Sequence, residues 1–292
     1  MSTPHRWSDA EWSDPDGGRI VLHGTLPTVV YPNALRPREA GHGIALLESP
    51  DVVDLWEQEE ADEAASPGVN FDVGLVSGGV FGRYLEGLAT LDELSVGRYP
   101  DPEPRRLHRN AERHGRPVYF IEPLADDEDW SDYLTQEAKA VSHWRKLLGM
   151  IRTGKRWKRH LKHHFLTAHR PPKGVTSDLS SADVLASTWW SFTAWLSTPE
   201  LNARRDARYA QRLRGALADL RQHHGDDAIL LTVHHMPHRD ALLEALNAHH
   251  PVEAMVAESS STTGEALEGV ESPHMDGGDF INMSDEALLE EA

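Results

Sequence analysis

Residues 228–246, AILLTVHHMPHRDALLEAL, place His234, His235 and His238 where an apolar run gives way to a helical pattern. Imidazole exchanges its proton near neutral pH and is a common ligand of zinc-like metals. Three other segments end in a similar way. RIVLH (19–23) ends at His23, GIALLE (43–48) at Glu48 and VYFIE (118–122) at Glu122. Each is a short apolar run of the kind that forms a strand, and open α/β sheets gather their functional groups at the carboxyl ends of strands. If the four strands are parallel neighbours, two imidazoles and two carboxylates meet on one rim. That combination suits a zinc- or manganese-type ion, or an acid/base pair.

Abundance tempers this reading, because the chain holds 18 histidines. Most are ordinary polar surface residues, and the pair at 249–250 merely follows a helix. Position after a strand is what singles out His235 and His23. His160 and His164, four apart in a basic amphipathic segment, belong to a solvated face.

The elements that must hold these residues are legible in outline. EPRRLHRNAERHG (103–115) is helical, stops at Gly115 and leads by a tight turn into the strand RPVYFIEP (116–123), the αβ half of a parallel-sheet unit. PDVVDLWEQEEADEAASPG is a helix between Pro50 and Pro67-Gly68. SSADVLASTWWSFTAWLS (180–197) is apolar on most faces and is expected to be a buried helix. TPELNARRDARYAQRLRGALADLRQHHG has a Thr-Pro-Glu start and ends at Gly225. A strand over 228–233 and a last helix from about Arg239 to Ala248 follow. GLVSGGVFG (74–82) has neither phosphate-loop spacing nor a following lysine, so it reads as close packing of small residues.

The expected fold is α/β, a central sheet with flanking helices over residues 18–255 and a basic helical insertion at about 138–198. Residues 1–17 read as a disordered lead and 256–292 as an acidic disordered tail.

Composition narrows the class further. The 292 residues contain no cysteine, which excludes disulfides and thiolate metal sites. No apolar run approaches the ~20 residues of a membrane span, and no apolar leader is visible, so the expectation is a soluble cytoplasmic protein. The net charge of −18 suits a halophilic protein in a saline cytoplasm, where salt screens repulsion between acidic surfaces. Charge is also segregated: Ala138–Ser177 holds eleven Lys and Arg and no acid, leaving −29 on the rest.

The order of these segments resembles the TraB/PrgY family, related to the Tiki and GumN proteins. Residues 204–246 carry most of the resemblance. In that family a helix with an Arg-Asp-x-x-Tyr/Met pattern leads into a strand and a Gly-x-x-His motif. Here the helix supplies Arg205, Asp206 and Tyr209, Thr232 takes the glycine position and His235 the histidine position. Upstream, VLHGTLP matches Gly24 and Thr25 of a Gly-Thr-x-His element, with Pro27 in place of the histidine. IALLES supplies Glu48, YPDPE supplies Glu103, and RPVYFIEP supplies Glu122 where the family has aspartate.

The resemblance spans about residues 19–248. It implies an α/β fold and either metal-dependent peptidase activity, as described for Tiki members, or restraint of peptide signalling, as in TraB/PrgY members. On this reading His235 is a metal ligand with His23 and Glu48. Glu48 and Glu122 are the catalytic carboxylates, and Arg205 clamps an oxyanion or carboxylate. Pro27 and Thr232 depart from the family pattern, which leaves a degenerate, non-catalytic member as the alternative. His23 replaces the lost histidine only if its loop is rerouted.

A rival reading needs no catalysis. The Lys139–Lys173 segment combines Trp144, Leu148, Ile151 and Trp157 with its cations, as does a helix lying on an anionic membrane surface. The protein would then be peripheral to the membrane. Nucleic acid fits less well, because the remaining −29 repels phosphates.

Overall fold

The structure, a computed structural model, describes residues 7–37, 39–144, 146 and 153–258. Its centre is one five-stranded sheet built from β1 (Ala10–Ser13), β2 (Arg19–Thr25), β3 (Gly43–Leu46), β4 (Val118–Phe120) and β5 (Ile229–His235). The order is β1-β2-β5-β3-β4; β1 is antiparallel to β2, and the other neighbours are parallel. β3 reaches β4 through α1 (Val52–Ala65), α2 (Val69–Ser77), α3 (Gly79–Leu88) and α4 (Pro102–Arg113). β4 reaches β5 through α5 (Glu128–Val141), α6 (Thr153–Thr167), α7 (Asp178–Leu196) and α8 (Pro199–His224), and α9 (Arg239–Asn247) follows β5. This is the expected α/β architecture.

Both faces of the sheet are covered, which is why the strands read as continuous apolar runs rather than alternating ones. On one face Ile20, Leu22 and Leu230 pack against Leu213, Leu217, Leu242 and Leu246 of α8 and α9. On the other, Val21, Leu46, Phe120, Leu231 and Val233 pack against Trp56 of α1 and Leu107 of α4. A third cluster joins Tyr84 and Leu88 of α3, Trp157 of α6 and Leu179 and Phe192 of α7 to Leu26 and Val29 beyond β2. Each such side chain contributes about 1.5–3 kcal/mol when fully buried.

Helix α8 shows how local chemistry sets an element. Thr198 Oγ1 accepts the Leu201 N–H at 3.2 Å, Pro199 opens the first turn, and Gly225 at φ 57° ends the helix. A hydroxyl cap satisfies an N–H that the helix leaves unpaired, and glycine adopts the left-handed conformation without a Cβ clash.

Two expectations are corrected. Residues 7–17 are not a disordered lead: Ala10–Ser13 pair with β2, Trp12 is buried, and its indole N–H donates to Asn247 Oδ1 at 3.0 Å. Asp14 and Arg214, both buried, tie the same segment to α8 at 2.8 Å. A four-residue strand flanked by Asp, Pro and Gly carries too little periodicity to stand out. The apolar stripe of the basic segment is not one surface. Trp157 lies in the core while Trp144 is exposed, and Leu148 and Ile151 fall outside the described residues. Within the helical segment between β4 and β5, α7 packs against α3 and reaches the carboxyl end of the sheet. In the tail, Glu258 donates its N–H to Val118 O at 3.0 Å, and residues 259–292 lie outside the described residues.

Candidate active site

Sheet register brings the expected residues together. Leu46 is paired with Phe120 on one side and with Val233 on the other, and Val233 is paired with His23. Two residues further along each strand come Glu48, Glu122, His235 and Thr25. Thr25 and His235 are still paired, and Glu122 N–H donates to Glu48 O at 3.1 Å, so the ladder continues past β3 and β4. Across the rim the order is therefore Thr25, His235, Glu48, Glu122. All four line a cavity of about 230 Å³. Pro104 of α4, Trp189 and Trp190 of α7, Arg205 and Tyr209 of α8, and His238 in the turn after β5 complete its walls.

His23 does not join this group. It sits one row deeper, is 1% exposed, and its Nδ1 is 2.8 Å from Asp9 Oδ1, outside the cavity. The loop after β2 is not rerouted; Pro27 O instead accepts the Tyr84 hydroxyl at 2.7 Å. The expected His23, Glu48, His235 ligand set is thus not assembled. Among the described residues, no three His, Asp or Glu side chains group so as to hold a metal ion. Glu103 is also elsewhere in role: fully buried, it accepts two hydrogen bonds from Arg106 and one from the Tyr31 N–H.

The motif positions Gly24 and Thr232 have structural reasons. A Cβ on Gly24 would stand 3.0 Å from Arg239 Nη2 and 3.1 Å from Met236 Cα, so the turn after β5 approaches too closely for a side chain. Thr232 is wholly buried inside β5, where its β-branched side chain suits the strand.

The rim carboxylates are held away from their ordinary behaviour. Burial, with the Glu122 carboxylate as neighbour, pushes Glu48 up to about 7. Among the described residues its side chain has no hydrogen-bond partner to stabilise the anion. Burial also raises Glu122, against the opposing pull of Tyr209, Trp130 and Arg205; Tyr209 donates to it at 3.2 Å. Burial, then the neighbouring His238, lowers His235 to about 4, so its imidazole is neutral at pH 7. Trp189 and Trp190 meet that ring edge-on at 5.4 and 6.2 Å. The site thus holds one carboxyl group that ionises near neutrality beside an uncharged imidazole. Exchange of a proton with a reacting water is what such a pair can do.

The opposite wall is cationic. Arg205 Nη2 is 2.9 Å from Asp206 Oδ1, and the same oxygen lies 2.7 Å from His238 Nε2. Burial works against ionisation of Asp206, but His238 and Arg205 outweigh it and hold the carboxyl low. The Trp190 ring packs against both partners, 4.7 Å from the His238 ring and 5.3 Å from the Arg205 guanidinium carbon. Arg205 is therefore fixed by an ion pair at one edge and an aromatic face, leaving it 18% exposed. A guanidinium so held can receive a carboxylate or a developing oxyanion.

Sequence reasoning placed His235, Glu48, Glu122 and Arg205, which the structure brings into one cavity. It missed the roles of Trp189, Trp190 and His238. The tryptophan pair was hidden in a helix that is apolar on most faces, and no local signal distinguishes a cavity wall from core. The i, i+1 pair Arg205-Asp206 was a visible signal, but its partner His238 lies 32 residues away.

No family model matches the chain, and neither a curated protein nor a solved structure matches it.

Proposed function

We propose that the cavity is the active site of a hydrolase acting on peptide bonds. The observation that carries this reading is the rim row, in which register alone sets His235, Glu48 and Glu122 side by side opposite Arg205. Glu48, ionised in about half the molecules near pH 7, takes a proton from water. The hydroxide adds to the carbonyl carbon, and the resulting oxyanion lies against Arg205. The tetrahedral intermediate then collapses; the C–N bond breaks and Glu48 returns its proton to the leaving amine. Neutral His235 offers a hydrogen bond to the water or the amine. Resemblance to TraB/PrgY and Tiki proteins supports the choice of peptide as substrate. His23, Glu48 and His235 do not meet as a donor set for the divalent ion implied by that resemblance, because His23 is held by Asp9 outside the cavity. Incubation of Glu48→Gln and wild-type protein with a peptide mixture tests the proposal. Cleavage by the wild type and its loss in a folded Glu48→Gln variant support it, and equal cleavage by both removes it.

A second reading is favoured by the basic segment. Among the described residues, no Lys or Arg from Lys139 to Lys173 forms an ion pair with a carboxylate of the chain. Trp144, Phe165 and Leu166 are exposed there. Lys146 is held by the Trp195 and Ser197 carbonyls, and Arg156 stacks on the Trp195 ring. The exposed Lys155, Lys158 and Arg159, together with the exposed apolar side chains, fit an anionic membrane surface, each such cation contributing ~1 kcal/mol. Cosedimentation with anionic liposomes tests it. Binding that charge reversal at Lys155, Lys158 and Arg159 releases supports this second role; wild-type protein left in the supernatant at low salt contradicts it.

A further inference from the structure

A second cavity lies on the far side of α4 from the proposed active site. While Pro104 lines the first cavity, the next residue, Arg105, lines the second, together with Arg106, Arg109 and Arg113. Positions 105, 109 and 113 are four apart, so one stripe of the helix turns three guanidiniums toward the same space over about 12 Å. The cavity measures about 440 Å³, and Tyr99 forms part of its wall. In a chain of net charge −18, four arginines against a single lining carboxylate, Glu60, form a marked local inversion of sign.

Packing accounts for only part of this charge. Glu60 of α1 accepts from Arg105 Nε at 2.9 Å and Nη2 at 3.1 Å, and from Arg109 Nη2. Arg106 is spent on the buried Glu103 at 2.7 Å. Arg109 shares its one carboxylate with Arg105 and is still 52% exposed. Arg113 has no ion-pair or hydrogen-bond partner for its side chain among the described residues. The cavity therefore retains at least one full positive charge over what its own acids neutralise. Glu60 also pre-orients two of the guanidiniums, which lowers the ordering cost of binding an anion.

We infer that this cavity binds a small phosphorylated anion, with Arg109 and Arg113 as the phosphoryl ligands and Tyr99 beside the organic part. Guanidinium pairs bidentately with carboxylate and phosphate alike. Two guanidiniums one helical turn apart favour a phosphoryl group, whose three acceptor oxygens and charge of about −1.5 to −2 can engage both. The cavity volume falls in the range of small-molecule sites. A small ligand is favoured over nucleic acid because an extended polyanion must lie along the acidic surface flanking the cavity, whereas a ligand contained in it contacts the arginines and stays farther from those carboxylates.

Titration calorimetry with inorganic pyrophosphate at low ionic strength tests the inference on the full chain. Arg113→Glu alters an exposed side chain that holds nothing together, and Lys158→Glu in the basic segment of α6 serves as the comparison. The expected result is saturable binding to the wild type and to Lys158→Glu, weakened by at least about ten-fold in Arg113→Glu and in Arg109→Ala. Absence of saturable binding, binding lost in Lys158→Glu but kept in Arg113→Glu, or affinity for single-stranded oligonucleotides that rises with their length while pyrophosphate does not compete would each overturn it. Circular dichroism of each variant shows that the fold is kept; should Arg109→Ala unfold by releasing Glu60, Arg113→Glu alone decides.

Discussion

Asp206 Oδ1 is the shared acceptor of His238 and Arg205, 2.7 Å from His238 Nε2 and 2.9 Å from Arg205 Nη2. One buried oxygen thus fixes two side chains that line the cavity and come from α8 and from the turn after β5. Asp206→Asn should leave a guanidinium without its counter-charge and lower stability by about 3 kcal/mol. The depressed carboxyl contributes stability that is complete above its ordinary value of 3.8 and is lost as pH falls below it. Urea unfolding of Asp206→Asn and wild type at pH 7 and pH 3 should therefore show a difference that shrinks at the lower pH. An equal difference at both would contradict the ion-pair account.

Glu48 and His235 act on stability in opposite windows. Glu48 is raised from 4.5 to about 7, so the folded protein holds a proton that the unfolded chain releases, and stability falls as pH rises through that range. His235 is lowered from 6.5 to about 4, so the unfolded chain binds a proton first, and stability falls as pH drops from 6.5 toward 4. Glu48→Gln should gain on the order of 1–3 kcal/mol over wild type at pH 8 relative to pH 4.5. His235→Gln should show its relative gain at pH 4.5. Melting temperatures of the three proteins across pH 4–8 check both signs, and parallel curves would show that neither group is perturbed.

Trp157 distinguishes core from surface in the basic segment. It is 8% exposed and packs in the cluster of α3 and α7, whereas Trp144 is 59% exposed. Trp157→Ser should cost about 3–5 kcal/mol, and Trp144→Ser less than about 1. Chemical denaturation of each variant measures this; equal costs would contradict the placement.

The surface charge predicts a salt response. With −18 on the chain, repulsion between carboxylates opposes folding at low ionic strength and is screened as salt is added. The melting temperature should climb between 0.1 and about 2 M KCl. A flat or falling curve would argue against adaptation to a saline interior.

How much of this was legible depends on the range of the interaction that makes each feature. β5, β3 and β4 were visible as apolar runs because both sheet faces are buried, and α8 because its cap and terminal glycine are local. The convergence of Glu48, Glu122 and His235 followed once the strands were taken as parallel neighbours, since each ends its run at the same offset. His23 failed by the same logic. It ends an apolar run in sequence but stands two residues short of the rim, because β2 continues through Gly24 and Thr25. Only the register with Val233 reveals that offset. Strand β1 was too short to signal itself, and the Asp206–His238 contact and the tryptophan wall are tertiary facts with no sequence period.

The most direct test of the central claim, that Glu48 works as the acid/base group of a peptide hydrolase, is the pH dependence of kcat/KM for a cleaved peptide. The measurement compares wild type with Glu48→Gln, each before and after dialysis against a chelator. The wild-type rate is expected to rise to a half-maximum near pH 7, unchanged by the chelator. Glu48→Gln should be slower by about 10²–10⁴-fold, without that rising limb. A Glu48→Gln variant retaining the wild-type rate and profile would contradict it, as would activity abolished by the chelator and restored by zinc or manganese alone.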